Sequence, residues 1–406
     1  MSNMLWVSVL SLVCLISHAG LQRNFSEPGI VHAGVWFLVS LAYAIFQVHL
    51  DVVSAATLLN LCVGIAMFSI GLHIGIRQNF LSRDAAKGQI LLPQVPAVIV
   101  LISAAGLTAM AWKALQYVPI QPGMQWFGVS GSWYGMLRDV LIAQHGGSYG
   151  IASYSLNLCF AGVAYLIIDY RRGGGSQWLW PVLVIALGFA LLATGRTFLL
   201  LFICMVLGAL LPGARVRKSF LILLFPVVVS LVFLPIAFLG GRLSMETLSE
   251  SIMRYSLAPI SAYDYLVNGG MISTDGAMTF RTPFAVLKAL GFPVVQVPDL
   301  VQPWAPTRIP GNVYTVFSPY YRDFGLVGVL GFMGMLGVVH GWVFRHLRTG
   351  HPVIIVANAV LFYALLMQFF QDQYFSLLSQ WVQIIFWVYL FNRLRPIAND
   401  IMYDSQ

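Results

Sequence analysis

Apolar stretches recur along the chain from end to end, separated by short polar breaks. A bilayer core about 30 Å thick is crossed by a helix of about 20 apolar residues. By that measure the pattern predicts about eleven transmembrane helices (10–12), at 4–19, 30–50, 55–76, 92–112, 151–169, 178–194, 197–211, 220–239, 324–344, 352–370 and 377–391. Two connections are long. Residues 113–150 are glycine-rich, with an interfacial helix expected within 124–143, and 240–323 form a large, partly helical loop before the ninth span. The expected architecture is an all-α polytopic membrane protein, one integral domain over 1–406.

Charge fixes an orientation for these spans. Arg77, Arg83 and Lys87 follow the third, Arg171 and Arg172 the fifth, and Arg215, Arg217 and Lys218 the seventh. Arg345 and Arg348 follow the ninth, and Arg393 and Arg395 the eleventh. Basic residues concentrate on the cytoplasmic side, so these connections and the C-terminus are expected inside. Alternation then puts the N-terminus and both long connections outside. The larger one carries Arg242, Arg254, Arg281, Arg308 and Arg322 against the usual bias. Of the nine basic residues assigned to the outer side, seven are arginine. Its planar fork grips phosphate oxygens in pairs, which points to a multiply charged anion.

Composition narrows the class further. With 59% hydrophobic and only 9% charged residues, the chain departs from soluble domains, which carry about 25% charged residues. The formal charge of +8 is explained by topology, and no basic run with interleaved aromatics suggests nucleic acid. Cys14, Cys62, Cys159 and Cys204 all lie in apolar stretches and read as packing residues. The first apolar stretch lacks a positive leading segment, so it is expected to be retained as a span. His18, His32 and His49 read as too scattered for a metal site, and His73, His340 and His346 as interface residues. No Asp-x-Asp or Glu-x-Asp pair occurs in an outer loop, so neither a metal nor another cofactor is expected.

Three places stand out for chemistry. Arg196 sits in Thr194-Gly195-Arg196-Thr197, between two spans with almost no loop, where a guanidinium either serves a site or snorkels to headgroups. The run from Arg308 through Tyr314, Tyr320, Tyr321, Arg322 and Asp323 leads directly into the ninth span. A helix start favours anions; the tyrosines equally suit an interfacial belt, and Arg322 with Asp323 a local ion pair. Asp372 is the one charge in the short tenth connection, as a helix cap or as a carboxylate facing the same cleft.

Thr194-Gly195-Arg196-Thr197 and Tyr321-Arg322-Asp323-Phe324-Gly325-Leu326-Val327-Gly328 resemble segments of bacterial O-antigen and oligosaccharide repeat-unit polymerases (Wzy-type). The second is close to the Tyr-x-Asp-Phe-Gly-x-x-Gly pattern that opens the span after that family's large periplasmic loop. The likeness covers about a dozen residues as motif and most of the chain as general plan. It implies a metal-independent, inverting glycosyltransferase of the C type at the periplasmic face of the inner membrane. Such an enzyme moves a growing glycan from undecaprenyl pyrophosphate onto the next lipid-linked repeat unit, and a chain-length regulator is an expected partner. By the resemblance, Arg196 and the loop arginines hold the pyrophosphate.

That chemistry agrees with the residues. The departing diphosphate needs its developing charge stabilised, and Arg196, Arg281, Arg308 and Arg322 offer fixed cations. A carboxylate must orient or deprotonate the acceptor hydroxyl, with Asp323 and Asp372 the favoured choices. Arg242, Arg254, Thr197, Tyr314, Tyr320 and Tyr321 are expected to bind substrate. The alternatives are an O-antigen ligase, whose loop histidine has no counterpart in 240–323, a lipid-linked glycan transporter or flippase, and a cell-wall glycan polymerase.

Overall fold

The computed structural model describes residues 3–21, 27–77, 94–127, 132–143, 149–175, 177–211, 250, 253–270, 273–299 and 302–394. Among them the chain is all-helical, with thirteen α-helices and one isolated bridge, Ala305 to Gly311. In chain order these are α1 (Met4–Leu21), α2 (Pro28–Ile45), α3 (Ala55–Arg77), α4 (Gln94–Tyr117), α5 (Trp133–Ala143), α6 (Ala152–Arg171) and α7 (Leu179–Leu192). There follow α8 (Arg196–Leu210), α9 (Ala258–Tyr265), α10 (Arg281–Ala289), α11 (Ser318–His346), α12 (Pro352–Met367) and α13 (Leu378–Arg393). Helices occupy ten of the predicted apolar stretches; 220–239 lies outside the described residues. Five are long and apolar enough to cross a membrane, namely α2, α3, α4, α6 and α11, and α1, α7, α8 and α12 are shorter apolar helices.

Proline opens α2, α11 and α12 within their first turn, where its missing N–H loses no hydrogen bond. At the other ends, arginines satisfy carbonyls that have no partner inside a helix. Arg345 donates to the Ile76 carbonyl at the end of α3, Arg171 to Ala209 at the end of α8, and Arg172 to Gly350 before α12. The ends of α3, α6, α8 and α11 therefore meet at one basic end of the bundle.

Helix α6 is the hub of one core, with residues 156–169 all buried. A helix apolar on every side belongs at a bundle centre. The second core is built around Trp36, Phe68 and Phe317. It depends on a glycine seam between α3 and α11, which run parallel. A Cβ on Gly71 would lie 2.0 Å from the Gly334 carbonyl oxygen, and one on Gly337 would lie 2.2 Å from that of Phe68. Gly75 and Gly341 make the same close approach, so the two backbones touch along two turns.

The ninth span departs from its predicted form. Helix α11 starts before the predicted boundary and is broken at Gly325, whose φ of 61° and ψ of −152° only glycine adopts readily. The first turns fold back: a Cβ on Gly328 would lie 2.2 Å from the carbonyl oxygen of Tyr320, and Tyr320 stacks on Phe332 with centroids 5.0 Å apart. Eight residues along a straight helix would separate Tyr320 from Gly328 by about 12 Å. The motif glycines thus make a hairpin of two helical pieces.

Candidate functional site

The folded-back segment of α11 carries three neighbouring polar side chains, and each is held by a different part of the chain. Tyr320 is fully buried and donates its hydroxyl to Asp372 at 2.8 Å. Arg322 donates to the Gln302 side-chain carbonyl at 3.0 Å. Asp323 accepts from the Thr274 hydroxyl and, at 2.7 Å, from the Thr279 amide. The segment therefore ties the α12–α13 connection, the loop before α11 and the turn before α10 into one body.

Between these parts lies a small cleft lined by Met278, Arg281, Gln302, Tyr314, Ser318, Pro319, Gln371, Asp372 and Ser376. Arg281 opens α10 and donates to the Pro298 carbonyl, which fixes its guanidinium at the lining. Burial works against its charge, and nearby Asp299 offsets part of that penalty. Arg322 stands behind Gln302 at the same lining. Two half-buried guanidinium groups thus approach one cleft, one directly and one through an amide.

Asp372 is 1% exposed and forms part of the cleft floor. Burial pushes its carboxyl above the usual range, and donors from Ser376, Tyr320 and Tyr374 oppose that rise. One oxygen accepts from Tyr320 and from the Tyr374 amide at 3.0 Å; the other accepts from the Ser376 amide and hydroxyl, both at 2.9 Å. Asp372 thus lines the cleft, as one of its two expected roles required, with four donors on its oxygens. Asp323 is likewise buried and engaged at both oxygens, so its geometry is that of an anchor for the turn before α10. Tyr314 is buried, with its hydroxyl donating to the Pro303 carbonyl at 3.0 Å and its acidity weakened by burial, to a pKa of about 12. Tyr314 and Tyr320 are core residues of this region. Tyr321 packs edge-on against Tyr263.

Among the described side chains, Arg308 and Arg254 do not join the cleft lining. Arg308 is exposed and reaches back to the α2–α3 connection: its amide donates to Asp51 at 3.1 Å and its guanidinium to the Val48 carbonyl at 3.2 Å. Arg254 is half-buried on the turn Met253–Leu257 that precedes α9. Arg242 and the Arg196 side chain lie outside the described residues, although Arg196 is the first residue of α8. Just before it, Thr194 adopts a positive φ of 52° and Gly195 caps the helix in an extended conformation. Thr197 bonds to Tyr363, which donates at 3.0 Å to Gln373, the neighbour of Asp372. Both motif segments therefore link to the same α12–α13 connection.

Sequence reasoning missed Thr274, Thr279 and Gln302, which carry no motif of their own. It also missed a gathering of histidines inside the bundle. His18 lies 3.3 Å from Glu27 and 4.9 Å, ring to ring, from His73. His32 Nδ1 lies 2.7 Å from the Gln368 side-chain carbonyl, and His340 Nε2 lies 2.9 Å from the Tyr374 hydroxyl. Phe68 stacks between His32 and His340. Among the described residues no three His, Cys, Asp or Glu side chains converge as a metal-binding set. No family model matches the chain, and no curated protein and no solved structure matches it.

Proposed function

We propose that the chain is a Wzy-type polymerase that joins undecaprenyl-pyrophosphate-linked oligosaccharide units into O-antigen or a related surface polysaccharide. In this reading it spans the bacterial inner membrane with its basic end and C-terminus in the cytoplasm, and the Arg281 cleft opens at the periplasmic face. The observation that carries the reading is the approach of Arg281 and Arg322 to one half-buried cleft. Fixed guanidinium groups in a site with little water stabilise a departing diphosphate far better than they would in bulk solvent. Arg196 is retained as a third cation, because its helix start adjoins the connection that carries Asp372. Arg308 is left out of this set, since it braces the α2–α3 connection.

The acceptor hydroxyl has to approach the anomeric carbon from the face opposite the leaving diphosphate. Ser318, Ser376 and Gln371 line the cleft and offer neutral partners that orient it; as the new glycosidic bond forms and the bond to diphosphate breaks, the hydroxyl proton passes to the departing diphosphate or to water. Asp372 contributes by holding Tyr320 and Ser376 in place.

A purified-protein reaction tests the proposal. Proteoliposomes given undecaprenyl-pyrophosphate-linked repeat units should yield a ladder of glycan lengths, and no elongation by folded protein refutes the reading. A lipid-linked glycan transporter is the second reading, favoured by the buried His32–Gln368 and His340–Tyr374 pairs inside the bundle. It predicts glycan lipid crossing the bilayer with no change in length.

A further inference from the structure

Helix α10 is amphipathic in the wrong sense for a helix that faces water. Pro283, Val286, Leu287 and Leu290 follow the i, i+3, i+4, i+7 spacing of one face, and Arg281, Phe284 and Lys288 lie on the opposite one. On that side Arg281 lines the cleft and Phe284 packs near Gly276, while Lys288 in the last turn is exposed. The apolar face turns away from the protein: Val286 is 54% and Leu290 67% exposed, and Phe292 just beyond is 57% exposed. No residue of α10 is buried. A surface helix ordinarily hides its apolar stripe and shows its charges.

Its position supplies the reason. Phe280, immediately before α10, meets Phe324 edge-on at 6.1 Å. Phe324 and, at 75% exposure, Val327 belong to the outer flank of α11, which is long and apolar enough to face lipid. That ring contact sets the start of α10 beside the exposed flank of α11.

We propose that α10 and the following turn through Val295 lie in the headgroup–acyl boundary of the bilayer, apolar face in the lipid, with the occupant of that face being membrane lipid. Helices of this pattern bury their apolar side some 5–10 Å into that boundary. The arrangement holds the mouth of the Arg281 cleft at headgroup height, so an anionic lipid headgroup reaches Arg281 without leaving the membrane. The inference stands on geometry alone and does not depend on the polymerase reading.

Nitroxide labelling tests it. The four cysteines are replaced, single Leu290→Cys, Phe292→Cys and Ser273→Cys proteins are labelled, and each is reconstituted in phosphatidylethanolamine–phosphatidylglycerol vesicles. The label positions are exposed, so the nitroxide displaces no core side chain. Labels at Leu290 and Phe292 should collide several-fold more with oxygen than with a water-soluble nickel chelate, relative to the label at Ser273. A preference for nickel at both positions overturns the proposal. So does shielding from both reagents, which a second copy of the chain or another protein on this face would produce.

Discussion

The hydroxyl of Tyr320 and the carboxylate of Asp372 meet at 2.8 Å, 52 residues apart in the chain, with both side chains out of contact with solvent. This bond fastens the folded-back start of α11 to the α12–α13 connection, and the cleft forms along their junction. Removing one partner of a buried hydrogen bond strands the other. Tyr320→Phe is expected to destabilise the protein by about 1–2 kcal/mol. Asp372→Ala strands four donors and should cost more. Thermal unfolding in detergent checks the order: Asp372→Ala lowest, Tyr320→Phe intermediate.

The two motif glycines should fail for different reasons. A Cβ on Gly325 meets nothing within 4 Å, so Gly325→Ala carries only backbone strain, about 1–3 kcal/mol. A Cβ on Gly328 runs into the Tyr320 carbonyl, so Gly328→Ala must push the folded-back segment away. Protease or thiol-reagent access to Thr274 and Gln302, each replaced by cysteine, should rise in Gly328→Ala and much less in Gly325→Ala.

The α3–α11 seam leaves no room for side chains. Gly71→Ala or Gly337→Ala places a methyl group against a backbone carbonyl of the partner helix, and relief requires the helices to separate. Each substitution is expected to destabilise by about 1–3 kcal/mol, and both together to prevent recovery of monodisperse protein. Size-exclusion chromatography after extraction reads the outcome directly.

Arginines that look alike in the sequence should differ in effect. Arg281→Ala is expected to lower glycan elongation by about 10²–10³-fold, as loss of a charge-stabilising donor does in other sites. Arg322→Ala and Gln302→Leu should act in the same direction, because the amide carries Arg322 to the cleft. Arg308→Ala should leave elongation near the wild-type level while loosening the α2–α3 connection. A gel of the polysaccharide products compares all four.

Much of this fold was legible because apolar length is a local property. Windows of hydrophobicity found ten apolar helices and their basic ends, since each signal lies within one turn of the feature it marks. The break at Gly325 was not, because the apolar run continues on both sides and only φ and ψ reveal the reversal. The partners that build the cleft were hidden for a different reason. Asp323 finds Thr274 and Thr279 at separations of 49 and 44 residues, and Arg322 finds Gln302 at 20. Nothing in a lone threonine or glutamine announces such a contact. The same blindness applies to His18, His32, His73 and His340, which come together from four helices.

The central claim is that the cleft beside Arg281 and Arg322 holds a lipid-linked diphosphate. Its most direct test is the affinity of purified protein for farnesyl diphosphate, a short polyprenyl diphosphate, measured by titration calorimetry on the wild type and on Arg281→Ala, Arg322→Ala and Arg308→Ala. Each lost charge-assisted bond should weaken binding by about tenfold or more, on the scale of 1.5–3 kcal/mol, for Arg281 and Arg322. Arg308→Ala should bind as the wild type does. Equal affinity across all four proteins would contradict the account.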